Sequence, residues 1–172
     1  MNRSTASFSA NRADFERYRS YLALLARLHF DQRLRGKMGE SDVVQATLLK
    51  AWEARDQIRI DDSANIAAWL RRILVRTMQD MARDLRRDKR DIRLERSLET
   101  VVTASSIRLA DLLPADQTTP SQHAARDDAL ALVCDALLQL PEQQREVVLM
   151  KHVEGYSLVE ISERMDRSPA AI

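Results

Sequence analysis

Glycine and proline are scarce, with 3 and 4 in 172 residues. So few turn formers cannot punctuate the many short strands of an all-β sandwich or barrel. Cysteine is scarcer still: Cys134 stands alone, which excludes an intrachain disulfide and a cysteine-based zinc site. His29, His123 and His152 are scattered, none four residues from another. Gly36, Gly39 and Gly155 build no phosphate-cradling loop, and neither a Gly-x-Ser-x-Gly elbow nor a His-Glu-x-x-His pair occurs. No apolar run approaches the ~18 residues of a membrane span. The segment from Met1 to Asn11 lacks the apolar core of a signal peptide. The expectation is a soluble, cytoplasmic chain that is not an enzyme and has no metal, cofactor, small-molecule substrate or membrane partner.

Charge is abundant but unevenly placed. The whole chain carries 27 Lys and Arg against 26 Asp and Glu, for a net +1. Residues 12–97 hold 20 basic and 14 acidic side chains, a net +6, while residues 98–172 hold 6 and 12, a net −6. Opposite signs on the two halves point to separate bodies with different partners, the basic one suited to phosphate.

Helical periodicity dominates the chain. Phe15, Tyr18, Leu22, Leu25 and His29 recur at steps of three and four, an apolar stripe along one helix face. After the break around Gly39, Ser41 or Asp42 is placed to cap a helix running through Val44, Leu48, Ala51 and Trp52 to about Asp56. Asp61 to Asn65 reads as a polar loop. From Ile66 a long helix carries Trp69, Leu70, Ile73, Leu74, Met78, Met81 and Leu85 on one side. Its exposed side is expected to carry Arg71, Arg72, Arg76, Arg83, Arg86 and Arg87, a stripe fit to neutralise phosphate. Such a face can equally be a solvated surface, with Arg83-Asp84 and Arg87-Asp88 partly cancelling. Trp52, Trp69 and Cys134 read as core.

Residues 98–128 change character. Thr, Ser, Ala, Gln, Asp, Pro114 and Pro120 crowd there, and the stretch reads as a flexible linker. It contains one apolar patch, Ile107-Leu109-Leu112-Leu113. A second helical body follows at 129–172. Leu130, Val133, Leu137 and Leu140 form a stripe ending before Pro141, which opens the next helix. Gly155 ends that helix. Ser157-Leu158-Val159-Glu160 fits a capping box, Asp166-Arg167 a tight turn with a left-handed residue, and Ser168-Pro169 the start of another helix. Helix, short turn, helix is the outline of a helix-turn-helix. Its second helix stops at Ile172 after about one turn, ~5 Å, too short to lie along a groove; truncation is the expected reason.

Three motifs, in order and at plausible spacing, resemble the extracytoplasmic-function (ECF) sigma factors of bacterial RNA polymerase. Asp42-Val43-Val44-Gln45-Ala46-Thr47-Leu48-Leu49-Lys50-Ala51-Trp52 resembles that family's polymerase-binding helix. Ala68-Trp69-Leu70-Arg71-Arg72-Ile73-Leu74 with Asp80 resembles its −10 helix. Leu140-Pro141-Glu142-Gln143-Gln144-Arg145-Glu146-Val147 with Gly155-Tyr156-Ser157-Leu158-Val159-Glu160-Ile161 is similar to its C-terminal helix-turn-helix.

The resemblance implies an all-α protein of two small helical domains joined by a flexible linker. Residues 12–97 would form the domain for core RNA polymerase and the −10 element, and residues 129–172 the one for the −35 element. It implies that Asp42, Gln45 and Leu49 dock on a coiled coil of core polymerase. It further implies that Arg72, Arg76 and Thr77 lie near the −10 bases, and that Arg167 and Ser168 face promoter DNA from the motif's turn. Ala46 stands where relatives often carry an acidic residue, and Thr77 where many carry Asn, so a polar contact and an adenine-reading amide are missing. An anti-sigma factor is a common partner in the family. The competing readings are a stand-alone helix-turn-helix regulator and a degenerate protein-interaction module.

Overall fold

Phe15, Tyr18, Leu22 and Leu25 are all buried, but on two helices and the turn between them rather than on one helix. α1 spans Arg12–Glu16 and α2 Arg19–His29, with a turn at residues 17 and 18. The computed structural model describes residues 12–29, 39–57, 66–86, 92–113, 120–168 and 170. The loop expected at Asp61 to Asn65, Arg87 and the helix expected after Ser168 lie outside them. Among the described residues the structure is all-α. α3 (Glu40–Glu53) is followed by a 3₁₀ turn at Arg55–Gln57, then α4 (Ile66–Arg86), α5 (Ile92–Ala110), α6 (Pro120–Gln139), α7 (Glu142–Val148), a π-helical segment at Leu149–Glu154, and α8 (Leu158–Met165). No described helix is long and apolar enough to cross a membrane.

α1 to α4 pack as a helical body because each turns one apolar face inward. Tyr21, Leu22, Leu24 and Leu25 of α2 meet Val43, Val44, Leu48 and Ala51 of α3 and Leu70, Leu74 and Met78 of α4. Each large apolar side chain buried this way contributes about 1.5–3 kcal/mol. Trp69 is partly buried, its ring 5.7 Å from that of Phe15. Trp52 also packs on the core and carries the Arg55 guanidinium 4.3 Å above its ring. Cys134 is buried, and burial pushes its thiol pKa up to about 12, so it stays protonated and inert.

The stretch expected to be an irregular linker is largely helical. α5 takes up residues 98–110 of it, and α6 begins at Pro120. Polar composition disguised a helical period: Val102 and Leu109 are buried seven residues apart, with buried Ser105 and Ser106 between them. The apolar patch docks on the protein itself, since Leu109 is buried and Leu112 and Leu113 pack against the core, while Ile107 stays exposed. α6 lies against α2 through Leu130, Ala131, Cys134 and Leu137, so one core cluster runs from Phe15 to Val153.

The C-terminal segment follows its local signals closely. Arg145 donates to the Leu138 and Leu140 carbonyls, at 3.1 and 3.4 Å, and closes the corner at Pro141. The helix expected to run unbroken to Gly155 changes to π geometry at Leu149, and Gly155, at φ 84°, ends it. Ser157 and Glu160 form the capping box, with the Ser157 N–H donating to the Glu160 carboxylate at 2.7 Å and the Ser157 hydroxyl accepting from the Glu160 N–H at 3.3 Å. The Ser157 N–H and the Ser157 hydroxyl, which donates to the same carboxylate at 2.7 Å, hold the Glu160 pKa below the ordinary carboxylate value. Asp166, at φ 52°, makes the left-handed turn after α8.

Candidate nucleic-acid interface

α3 presents two opposed faces. Val43, Val44, Thr47, Leu48 and Ala51 point into the core, and Asp42, Gln45 and Leu49 share the outer side, all exposed. At 100° per residue these three positions fall within about 60° of one another, a compact stripe. Leu49 is 57% exposed at its centre. Neither Ser41 nor Asp42 is the N-cap; that position is Gly39, and Asp42 sits in the first turn, accepting the Gly39 N–H at 2.8 Å. A carboxylate there stabilises the helix start by meeting a free donor and the positive end of the dipole.

α4 sorts its candidate residues into three groups. Arg72, Arg76 and Arg83 are exposed and recur at steps of four and seven along one face. Arg72 and Arg76 make no ion pair with any described residue, whereas Arg83 pairs with Asp80 one turn back; the side chain of Asp84 lies outside the described residues. Arg71 corrects the expectation of an outward stripe. It turns toward α5, half-buried, and donates to the Ser106 hydroxyl at 2.9 Å. Thr77 is the second correction, being fully buried, with its hydroxyl meeting no partner. Ile66, Leu70, Ile73 and Thr77 recur at steps of four, three and four, so Thr77 continues the buried stripe and cannot meet DNA in this arrangement. The side chain of Arg86 and all of Arg87 lie outside the described residues.

At the C-terminal end, Arg167 and Ser168 are exposed. Arg167 donates to the Gln143 side-chain oxygen at 2.8 Å, which ties the turn after α8 back to α7.

Sequence reasoning missed the polar seam under α5. The Tyr21 hydroxyl lies 2.7 Å from the Ser106 hydroxyl, the same group that takes Arg71. His29 Nε2 lies 2.9 Å from the Ser105 hydroxyl. Burial raises the Tyr21 pKa and lowers that of His29, so both are neutral near pH 7. Beside the seam, Ala68, Arg71, Arg72, Val75, Glu99 and Thr103 line an open cleft of about 280 Å³ between α4 and α5. The signal available in sequence was the run of Leu98, Val102, Ser105, Leu109 and Leu112 at steps of four, three, four and three. Among the described residues no cluster of His, Cys, Asp and Glu is suited to a metal ion.

A family model described as Sigma-70 region 2 matches residues 15–88, and one described as Sigma-70, region 4 matches residues 131–172. The first takes in α3 and α4 with both outer stripes, and the second takes in α7 and α8. No curated protein and no solved structure matches the chain.

Proposed function

The chain belongs to the sigma-70 family, as a sigma factor of the ECF type with a role in promoter recognition, and from that premise we propose how its surfaces divide the work. The outer face of α3 binds core RNA polymerase. Leu49 supplies the apolar centre, and Asp42 and Gln45 supply the polar rim that sets register against a partner helix. The outer face of α4 binds the −10 element. Arg72, Arg76 and Arg83 neutralise phosphates and can offer planar forks to base edges. The helix-turn-helix that begins with α8 carries Arg167 and Ser168 toward the −35 element.

The observation that carries this reading is the placement of the two stripes. Each lies on the outer side of its helix, and the helices are joined by the Lys50–Asp80 bridge at 2.8 Å. Polymerase bound to α3 would thereby hold α4 at a set orientation over the opened strand. Three phosphate contacts imply a salt slope of only about −2 on single strands and about −2.7 on duplex. Free protein should therefore bind promoter duplex weakly, and docking on polymerase raises the effective concentration of each module. An anti-sigma factor covering the α3 stripe would compete directly with polymerase.

The test is co-elution with purified core polymerase. Leu49→Asp should abolish co-elution and promoter-directed initiation while leaving the helical spectrum intact, because Leu49 contributes little to the core. If the original protein fails to co-elute, the polymerase assignment is wrong.

A further inference from the structure

We propose that the cleft between α4 and α5 is a ribonucleotide site whose occupant takes Arg72 away from the promoter strand; the second half of that statement rests on the −10 reading above. A chain of polar groups running from the core to the cleft wall points to a ligand. Tyr21 is fully buried, and its hydroxyl lies 2.7 Å from that of Ser106, itself buried. Ser106 in turn accepts from Arg71 at 2.9 Å, and Arg71 lines the cleft. One nitrogen of the guanidinium is thereby fixed from behind. A guanidinium carries five N–H donors, so most of the others are left for a ligand. A side chain held in this way by a buried partner is prepared for binding before the ligand arrives. Arg71 is half-buried, yet it meets a neutral hydroxyl and forms no ion pair with a described residue. An arginine drawn partly out of water beside a neutral partner keeps an uncompensated charge. An anion in the cleft would compensate it.

The wall of the cleft sets the class of ligand. Its volume of about 280 Å³ lies at the lower end of small-molecule pockets. Arg71 and Arg72 offer two planar forks that suit phosphate, and Thr103 of α5 adds a hydroxyl donor. Glu99 stands one turn before Thr103, ~5–6 Å along α5, and is an acceptor. It is exposed and forms no ion pair with either arginine. A bare phosphate would meet Glu99 as a like charge, so the occupant must also carry donors. A 5′-ribonucleotide has both parts. Its phosphate faces the arginines, and its ribose hydroxyls, a comparable span away, face Glu99, as a carboxylate holds ribose in dinucleotide sites. Ala68 and Val75 supply apolar contact for the base. Arg72 belongs to the outer stripe with Arg76 and Arg83 as well as to the cleft. One guanidinium therefore serves both ligands, and nucleotide and strand oppose each other's binding.

The experiment titrates the full chain calorimetrically with ADP, GDP, CDP and UDP, with their 2′-deoxy forms, and with pyrophosphate. At least one ribonucleotide should bind with Kd below about 100 μM. Its deoxy form should bind about ten-fold more weakly, the worth of one hydrogen bond to a charged group. Arg71→Gln should cost about ten-fold and Thr103→Val about five-fold. Glu99→Gln should shrink the preference for ribose, and melting curves show that each variant is folded. The same ribonucleotide should release a labelled single-stranded −10 oligonucleotide from the protein. If no ribonucleotide binds more tightly than about 100 μM, or if pyrophosphate binds equally well, the site is overturned. Affinity that ignores Arg71 overturns it too. Deoxy forms that bind as tightly overturn the ribonucleotide assignment and give the cleft to the DNA strand itself. A ribonucleotide that binds through Arg71 without releasing the oligonucleotide overturns the competition for Arg72. If the oligonucleotide never binds, the −10 reading fails, and the cleft is still judged by the titration.

Discussion

Lys50 of α3 donates to the Asp80 carboxylate of α4 at 2.8 Å, and the same carboxylate takes Arg83 from one turn further along α4. One acidic side chain therefore joins the proposed polymerase helix to the proposed −10 helix and holds back one of the cations meant for phosphate. All three side chains are nearly half exposed, so solvent screens these pairs and their contribution to stability is small.

Asp80→Asn is expected to change unfolding free energy by less than about 1 kcal/mol. Its effect should fall on nucleic acid instead. With this carboxylate's charge removed, single-stranded −10 oligonucleotide should bind about two- to three-fold more tightly at low salt, and the gain should vanish at high salt as screening shortens. Urea melts and fluorescence anisotropy at two salt concentrations check both parts.

Thr77→Val should stabilise the fold, because the hydroxyl is buried and unbonded while valine keeps its shape. A gain of about 1 kcal/mol, read from the urea midpoint at unchanged m, is the expected outcome. Affinity for −10 oligonucleotide should not move. A drop in affinity would put Thr77 at the DNA after all.

Arg76→Ala removes one of the two outward arginines that have no ion pair among the described residues. It should weaken oligonucleotide binding across sequences and reduce the salt slope by about 0.7–0.9. Co-elution with core polymerase should be unaffected, since the α3 stripe is untouched. Loss of co-elution would mean that the two stripes do not act separately.

His29 and Glu142 contribute to the acid response in separate pH ranges. Burial lowers the His29 pKa in the folded protein, so protonation favours the unfolded chain. The stability this contributes is present above about pH 6.5, the unfolded value, and is lost as pH falls toward the folded value. The Arg27 hydrogen bond lowers the Glu142 pKa in the same sense, and its contribution is lost below about pH 4.5. His29→Gln should flatten the stability profile just below about pH 6.5 while leaving the lower, carboxylate arm in place. Melting temperature against pH, for both proteins, is the measurement. An unchanged upper arm would remove His29 from the account.

The local features were legible because each depends on residues within a turn of one another. The Ser157–Glu160 capping box, the left-handed Asp166, the Gly155 stop and the opposed faces of α3 all follow from spacing alone. Thr77 was legible too, on the same arithmetic that placed Ile66, Leu70 and Ile73, but expectation from relatives drew attention outward. Arg71 was not. Its angle on α4 lies between the buried and exposed sides, and periodicity cannot say whether a neighbouring helix covers that angle.

The amino-acid sequence alone determined an all-α chain, the inward and outward faces of its helices, and a basic front half beside an acidic rear half, because period and charge are written residue by residue. Only the tertiary structure decided that residues 98–110 form a helix seated on α2 and α4, that Ser106 takes Arg71, and that Arg27 reaches across to Glu142. Those contacts join residues 35 to 115 positions apart. Whether such groups meet depends on how the helices pack, which no local pattern records.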